Sequence, residues 1–136
     1  MSVEPASTEG PHTTGLLVTG DLLFSTKITG TAAVLGGAIQ AVASANAALD
    51  RLRRGGVRCV VLDLGLSSLT DVAMECIVSA SAPATVLAYG SHVDAHRLDA
   101  ARRAGCTEVM PRSRLSAELP DLLRKYLLAG DDAAGS

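Results

Sequence analysis

The chain has 136 residues, enough for one domain with a substantial core, since domains cluster around roughly 100–150 residues. Its 12 basic and 14 acidic residues leave a formal charge of −2 with no extended Lys/Arg stripe, which argues against a nucleic-acid partner. No apolar run approaches the roughly 20 residues needed to span a bilayer, and the polar N-terminus lacks a signal peptide's charged and apolar regions, so a cytoplasmic protein without a membrane partner is expected.

Residues Met1 to Thr14 are rich in Ser, Thr, Pro and Glu without periodicity, and a disordered tail is expected there. Gly15 to Thr19 reads as a first strand, broken by Gly20-Asp21. A helix follows from Leu23 to Leu35, with Leu23, Ile28, Ala32 and Leu35 on its apolar face and Gly36-Gly37 as its stop. Ala38 to Ala43 is a short second strand of weak β-propensity. Ser44 or Asn46 caps a second helix whose Ala47, Leu49 and Leu52 face inward, and its basic end before Gly55-Gly56 suits the negative pole of a helix.

The third strand, Arg58-Cys59-Val60-Val61-Leu62-Asp63-Leu64-Gly65, is a short apolar run ending on a carboxylate. Such runs mark strands buried on both faces of a parallel sheet. A third helix spans about Thr70 to Ala80, and Pro83 separates it from a fourth strand, Ala84 to Gly90. Asp94 to Ala104 forms a fourth helix closed by Gly105, Thr107 to Met110 a fifth strand, and Leu119 to Leu128 a last amphipathic helix with Pro120 near its first turn. The residues from Gly130 to Ser136 are again expected to be a tail, leaving one domain from 15 to 129.

Five strands alternating with five helices through short loops predict a doubly wound α/β fold, a five-stranded parallel sheet in the order 2-1-3-4-5 with helices on both faces. The switch point of that order lies between strands 1 and 3. Asp63 and the Thr19-Gly20-Asp21 turn then share one crevice at the carboxyl edge, where ligands gather in such sheets. Cys59, Cys76 and Cys106 have no CxxC spacing and are expected to be reduced, partly buried thiols. His92 and His96 could share a helical face but have no third ligand for a metal, and no Gly-x-Ser-x-Gly elbow is present, so no enzymatic activity is expected.

From about Leu16 to Leu128 the chain resembles the receiver domain of two-component response regulators, a flavodoxin-like fold. The resemblance rests on the acidic residue ending strand 3, the Ala88-Tyr89-Gly90 turn after strand 4, Ala104-Gly105 closing helix 4, and Met110-Pro111-Arg112-Ser113 after strand 5. It implies that Asp63 stands at the phosphoacceptor position and that two acidic residues after strand 1 would hold Mg²⁺. Thr19 and Gly20 occupy those places, with Asp21 one residue on, so Asp21 and Asp63 would bind Mg²⁺ weakly if at all. The family's hydroxyl after strand 4 aligns with Leu87 or Ala88, with Ser91 nearby but turned away. Its lysine after strand 5 becomes Arg112, and the proline that follows becomes Ser113, so the loop there is expected to be rearranged or trans.

The resulting expectation is a degenerate, stand-alone receiver that signals through a protein partner, such as a histidine kinase or an output protein. Without a metal, Asp63 and Arg112 would pair across the crevice. A homodimer through helix 4, strand 5 and helix 5 is also expected, on a face carrying Arg97, Arg102, Arg103, Arg114, Arg124 and Lys125 among Asp99, Glu108, Glu118 and Asp121. Two alternatives stay open. One is a working receiver phosphorylated on Asp63. The other is an anion or nucleotide site at the start of helix 1, where Ser25, Thr26, Thr29, Thr31 and Lys27 cluster and a helix N-terminus attracts anions.

Overall fold

The computed structural model describes residues 14–128, so the predicted tails lie outside the described residues except for Thr14, which belongs to the first strand. The elements are β1 (Thr14–Val18), α1 (Leu22–Val34), β2 (Ala38–Val42), α2 (Ala45–Arg53), β3 (Cys59–Asp63), α3 (Asp71–Ser81), β4 (Thr85–Gly90), α4 (Ala95–Ala104), β5 (Glu108–Pro111) and α5 (Arg112–Leu123). A π-helical turn, Arg124–Leu128, extends α5. All strand pairs are parallel, and the order is β2-β1-β3-β4-β5, the flavodoxin-like arrangement expected from the sequence.

Alternation along the strands divides the core in two. Leu16, Val18, Val60, Leu62, Val86 and Ala88 pack against α2, α3 and α4 through Ala48, Leu52, Met74, Ile77, Leu98 and Ala101. Leu17, Cys59, Val61, Leu87, Tyr89 and Met110 face α1 and α5 through Phe24, Ile28, Ala32, Leu115, Leu119 and Leu123. Asp63 follows Val61 by two residues and Thr19 follows Leu17 by two. Thr19, Asp63 and Tyr89 therefore line up on the α1/α5 face at the carboxyl edge.

Several local readings are corrected. In α1 it is Phe24, not Leu23, that faces the core, and Leu23 is 86 % exposed. Asp21 caps the helix so that it begins at Leu22, and the Ile28–Ala32 row extends back four residues to Phe24. Ser44 is the α2 cap, accepting from Ala47 N, and Ala45, Ala48 and Leu52 form the buried face, with Ala47 and Leu49 only half-buried. Cys76 is exposed rather than partly buried.

The largest correction is α5, which begins at Arg112 directly after β5 and takes Pro120 into its interior. A proline there removes one backbone hydrogen bond and crowds the preceding turn. Leu115, Leu119, Leu122 and Leu123 are all buried at helical spacing, and their packing outweighs that cost.

Two glycines separate backbone freedom from packing. Gly105 ends α4 with φ +100, and a Cβ there would meet nothing nearer than Val78 Cγ1 at 3.6 Å. Gly30 lies inside α1 with open space where its Cβ would be. Gly105→Ala should destabilise the fold by about 1–2 kcal/mol through left-handed backbone strain alone, whereas Gly30→Ala should stabilise it by about 0.5–1 kcal/mol. Paired thermal melts of the two variants check both signs.

Candidate functional site

Strands β1 and β3 are neighbours with Val18 opposite Leu62, so the next residues, Thr19 and Asp63, meet at the sheet edge. Thr19 Oγ1 donates to Asp63 Oδ2 at 2.5 Å, and Gly65 N donates to Asp63 Oδ1 at 2.8 Å. Thr19 is buried, and its hydroxyl oxygen also accepts from Asp21 N at 3.0 Å. One hydroxyl thus ties the end of β1 to the end of β3.

Asp63 and Arg112 do not pair. Arg112 Nη2 instead donates to Asp21 Oδ2 at 2.8 Å, and its guanidinium lies over the Phe24 ring, 4.1 Å from the centroid. Phe24 in turn meets Tyr89 edge to face at 5.3 Å and 66°. The reason is positional. Asp21 caps α1 through Phe24 N at 3.0 Å, which brings the carboxylate and the aromatic ring together where α5 starts, and the planar cation satisfies both. The Phe24 amide and then Arg112 hold the Asp21 carboxyl below its ordinary value.

Asp63, Tyr89, Ser91, His92, Arg112 and Ser113 are among the residues lining a cleft of about 380 Å³. Asp63 stands in register with Tyr89, so the end of β4 that faces it is Tyr89-Gly90. Ala88 and Leu87, the expected positions, lie one and two residues further inside the strand and are wholly buried. Ser91, expected to turn away, lines the cleft. The Tyr89 hydroxyl is buried beside the Thr19 hydroxyl. Burial raises its phenol, with the Thr19 hydroxyl opposing and the Asp63 charge adding to the shift. The Arg112–Ser113 bond is trans, and the one cis peptide among the described residues is Ala82–Pro83.

The threonine hydroxyls of α1 are engaged along their own helix. Thr26 donates to Leu22 O, Thr29 to Thr26 O and Thr31 to Lys27 O, while Lys27 donates to Ser116. The Asp21 carboxylate caps the helix N-terminus, the place that the anion-site alternative would use. His92 precedes α4 and His96 lies within it, and both are exposed. Among the described residues no group of three or more His, Cys, Asp or Glu side chains is gathered to hold a metal ion.

Sequence reading missed a structural role for Arg97. Rather than standing free on the α4 face, it reaches across to Leu64 O at 3.2 Å, Leu69 O and Asp71 Oδ1 at 2.9 Å. It staples the β3–α3 loop that begins beside Asp63. Only the Asp71 in the first turn of α3 hinted at this. The remaining charges of the α4–β5–α5 face are largely satisfied within the chain, as Arg103–Asp99, Arg114–Glu118, Arg114–Glu108 and Arg124–Asp121.

No family model matches the chain, and no curated protein matches it. Among solved structures, the receiver domain of Ssk1 from Saccharomyces cerevisiae, crystallised with the histidine phosphotransfer protein Ypd1, is similar at 14 % identity and TM-score 0.73, over 88 % of this chain and 91 % of that one. A response regulator from Thermotoga maritima is similar at 14 % identity and TM-score 0.71, over 86 % and 98 %. One from Burkholderia pseudomallei, with a phosphorylated aspartic acid and a calcium ion, is similar at 12 % identity and TM-score 0.71, over 90 % and 71 %. The chain therefore has the fold of response-regulator receiver domains.

Two outcomes follow from this site. Because the folded Asp21 carboxyl is lowered, its stabilising charge is fully present above the unfolded value of 3.8 and is lost as pH falls through the folded value. Asp21→Asn keeps a capping side chain but not the charge, so it should melt below the wild type at pH 7, and the gap should close in acid. Arg97→Ala, which leaves two loop carbonyls without a donor, should cost about 1–3 kcal/mol. It should also speed amide exchange in the β3–α3 loop, and Lys at position 97, a point charge without the fork, should not restore protection.

Proposed function

We propose that this chain is a receiver-like signalling module in a two-component-type pathway that acts through protein contact without efficient phosphorylation of Asp63. The carrying observation is the Thr19 hydroxyl on Asp63 Oδ2, which places a neutral donor where the resemblance calls for a metal-binding carboxylate. Mg²⁺ needs near-octahedral oxygen ligands and charge. Here Asp21 is spent on the α1 N-terminus and Arg112, and Gly20 offers no side chain. The donor set therefore does not fit the ion.

Phosphoryl transfer relies on positive charge positioned around the transferring group. Arg112, the cation at the expected place, is diverted to Asp21 and Phe24, which supports the same reading. The complex of the Ssk1 receiver with a histidine phosphotransfer protein supports a signalling protein as the partner class. A homodimer through α4, β5 and α5 has weaker support, because most charges on that face already have partners within the chain.

Intact-mass measurement after incubation with acetyl phosphate, with and without Mg²⁺, tests the proposal beside an Asp63→Asn control. No phosphoryl gain is expected in the folded protein. A Mg²⁺-dependent gain of one phosphoryl group that the control lacks would overturn it in favour of a working phosphoacceptor.

A further inference from the structure

The exposed large apolar side chains of the described residues are unevenly placed. Leu22 and Leu23 in the first turn of α1, Val72 in the first turn of α3 and Val93 before α4 are each 70 % exposed or more. All four follow strand ends, so they ring the carboxyl edge where the Asp63 cleft opens. Val34, at the far end of α1, is the exception. Exposed apolar residues gathered on one edge mark a surface made to be covered.

At the centre of that ring is a carboxylate with no cation. Asp63 receives two neutral donors, Thr19 and Gly65, and makes no ion pair among the described residues, while Arg112 in the same cleft is committed to Asp21 and Phe24. The cleft, about 380 Å³, is within the range that encloses small ligand groups, roughly 300–1,000 Å³.

We propose that this cleft receives an arginine side chain from a partner protein, its guanidinium on Asp63, with apolar residues beside it covering Leu22, Leu23 and Val93. Charge complementarity selects the occupant. A planar guanidinium offers two parallel donors to a carboxylate, which a single ammonium does less well. An anionic occupant would meet Asp63 directly. The chain's net charge of −2 adds a mild attraction for a basic partner. The assignment rests on the metal-independent reading above, since Mg²⁺ held at Asp63 would compete for the same carboxylate.

The probe is the peptide acetyl-Leu-Arg-Leu-amide, titrated into ¹⁵N-labelled protein without divalent metal, with acetyl-Leu-Gln-Leu-amide and acetyl-Leu-Lys-Leu-amide as comparisons. Saturable shifts at the Gly65 and Gly90 amides are expected with the arginine peptide, at least tenfold weaker with glutamine and weaker with lysine. Asp63→Asn should abolish the arginine preference, and Leu23→Ser, a change at an exposed site, should weaken binding with the spectrum otherwise intact. Absence of saturable shifts, or equal binding of the arginine and glutamine peptides, would overturn the proposal. A final arm adds millimolar Mg²⁺. Undisturbed peptide binding supports both readings, whereas displacement of a bound arginine peptide by Mg²⁺ would overturn the metal-independent reading while leaving the arginine site standing.

Discussion

The contact on which the site depends is the hydroxyl of Thr19 closing on the carboxylate of Asp63. It follows from the sheet order, because β1 and β3 lie side by side and their last residues must meet at the carboxyl edge. What meets there decides the chemistry. Two carboxylates at that place would repel and call for a divalent cation. A hydroxyl and a carboxylate make a hydrogen bond and call for nothing further. The end of β1 is thus satisfied within the chain, and Asp63 is left as a lone charge with neutral neighbours.

A second constraint fixes the other wall of the cleft. Asp21 caps α1, Phe24 turns inward one turn later, and Arg112 enters at the first residue of α5 to meet both. The Asp21–Arg112 pair is partly exposed and contributes modestly by itself. The stack of guanidinium on Phe24 and of Phe24 on Tyr89 gives it a fixed geometry in a packed layer. Because α5 begins at Arg112 with no loop before it, that cation has little freedom to swing toward Asp63. The arrangement favours one conformation of the edge, as the proposed interaction surface requires.

Much of this was legible from residue order. The strand ending in Asp63, the alternation of strands and helices, and the crevice between strands 1 and 3 all follow from apolar runs and turn residues, which are local signals. The side-chain pairing was not. Asp63 and Arg112 are the obvious opposite charges, yet Asp21 captures the arginine because a helix cap brings it close, and capping geometry depends on where the helix starts by a single residue. Leu23 and Phe24 were exchanged for the same reason. Pro120 concealed the start of α5, since a proline reads as a boundary unless the buried leucines on either side of it are weighed together. Arg97 was hidden by distance in sequence, its partners Leu64 and Leu69 lying about thirty residues earlier.

The edge that results is apolar at its rim and acidic at its centre, with its structural cation already bound elsewhere. The proposed function requires that the Thr19–Asp63 pair leave no metal site. Paramagnetic broadening by Mn²⁺, a stand-in for Mg²⁺ that reports on distance, tests this most directly. Millimolar Mn²⁺ should broaden the Gly65 and Thr19 amides no more than other surface amides, and no differently in the wild type than in Asp63→Asn. Selective, saturable broadening of Gly65 in the wild type that Asp63→Asn removes would contradict it.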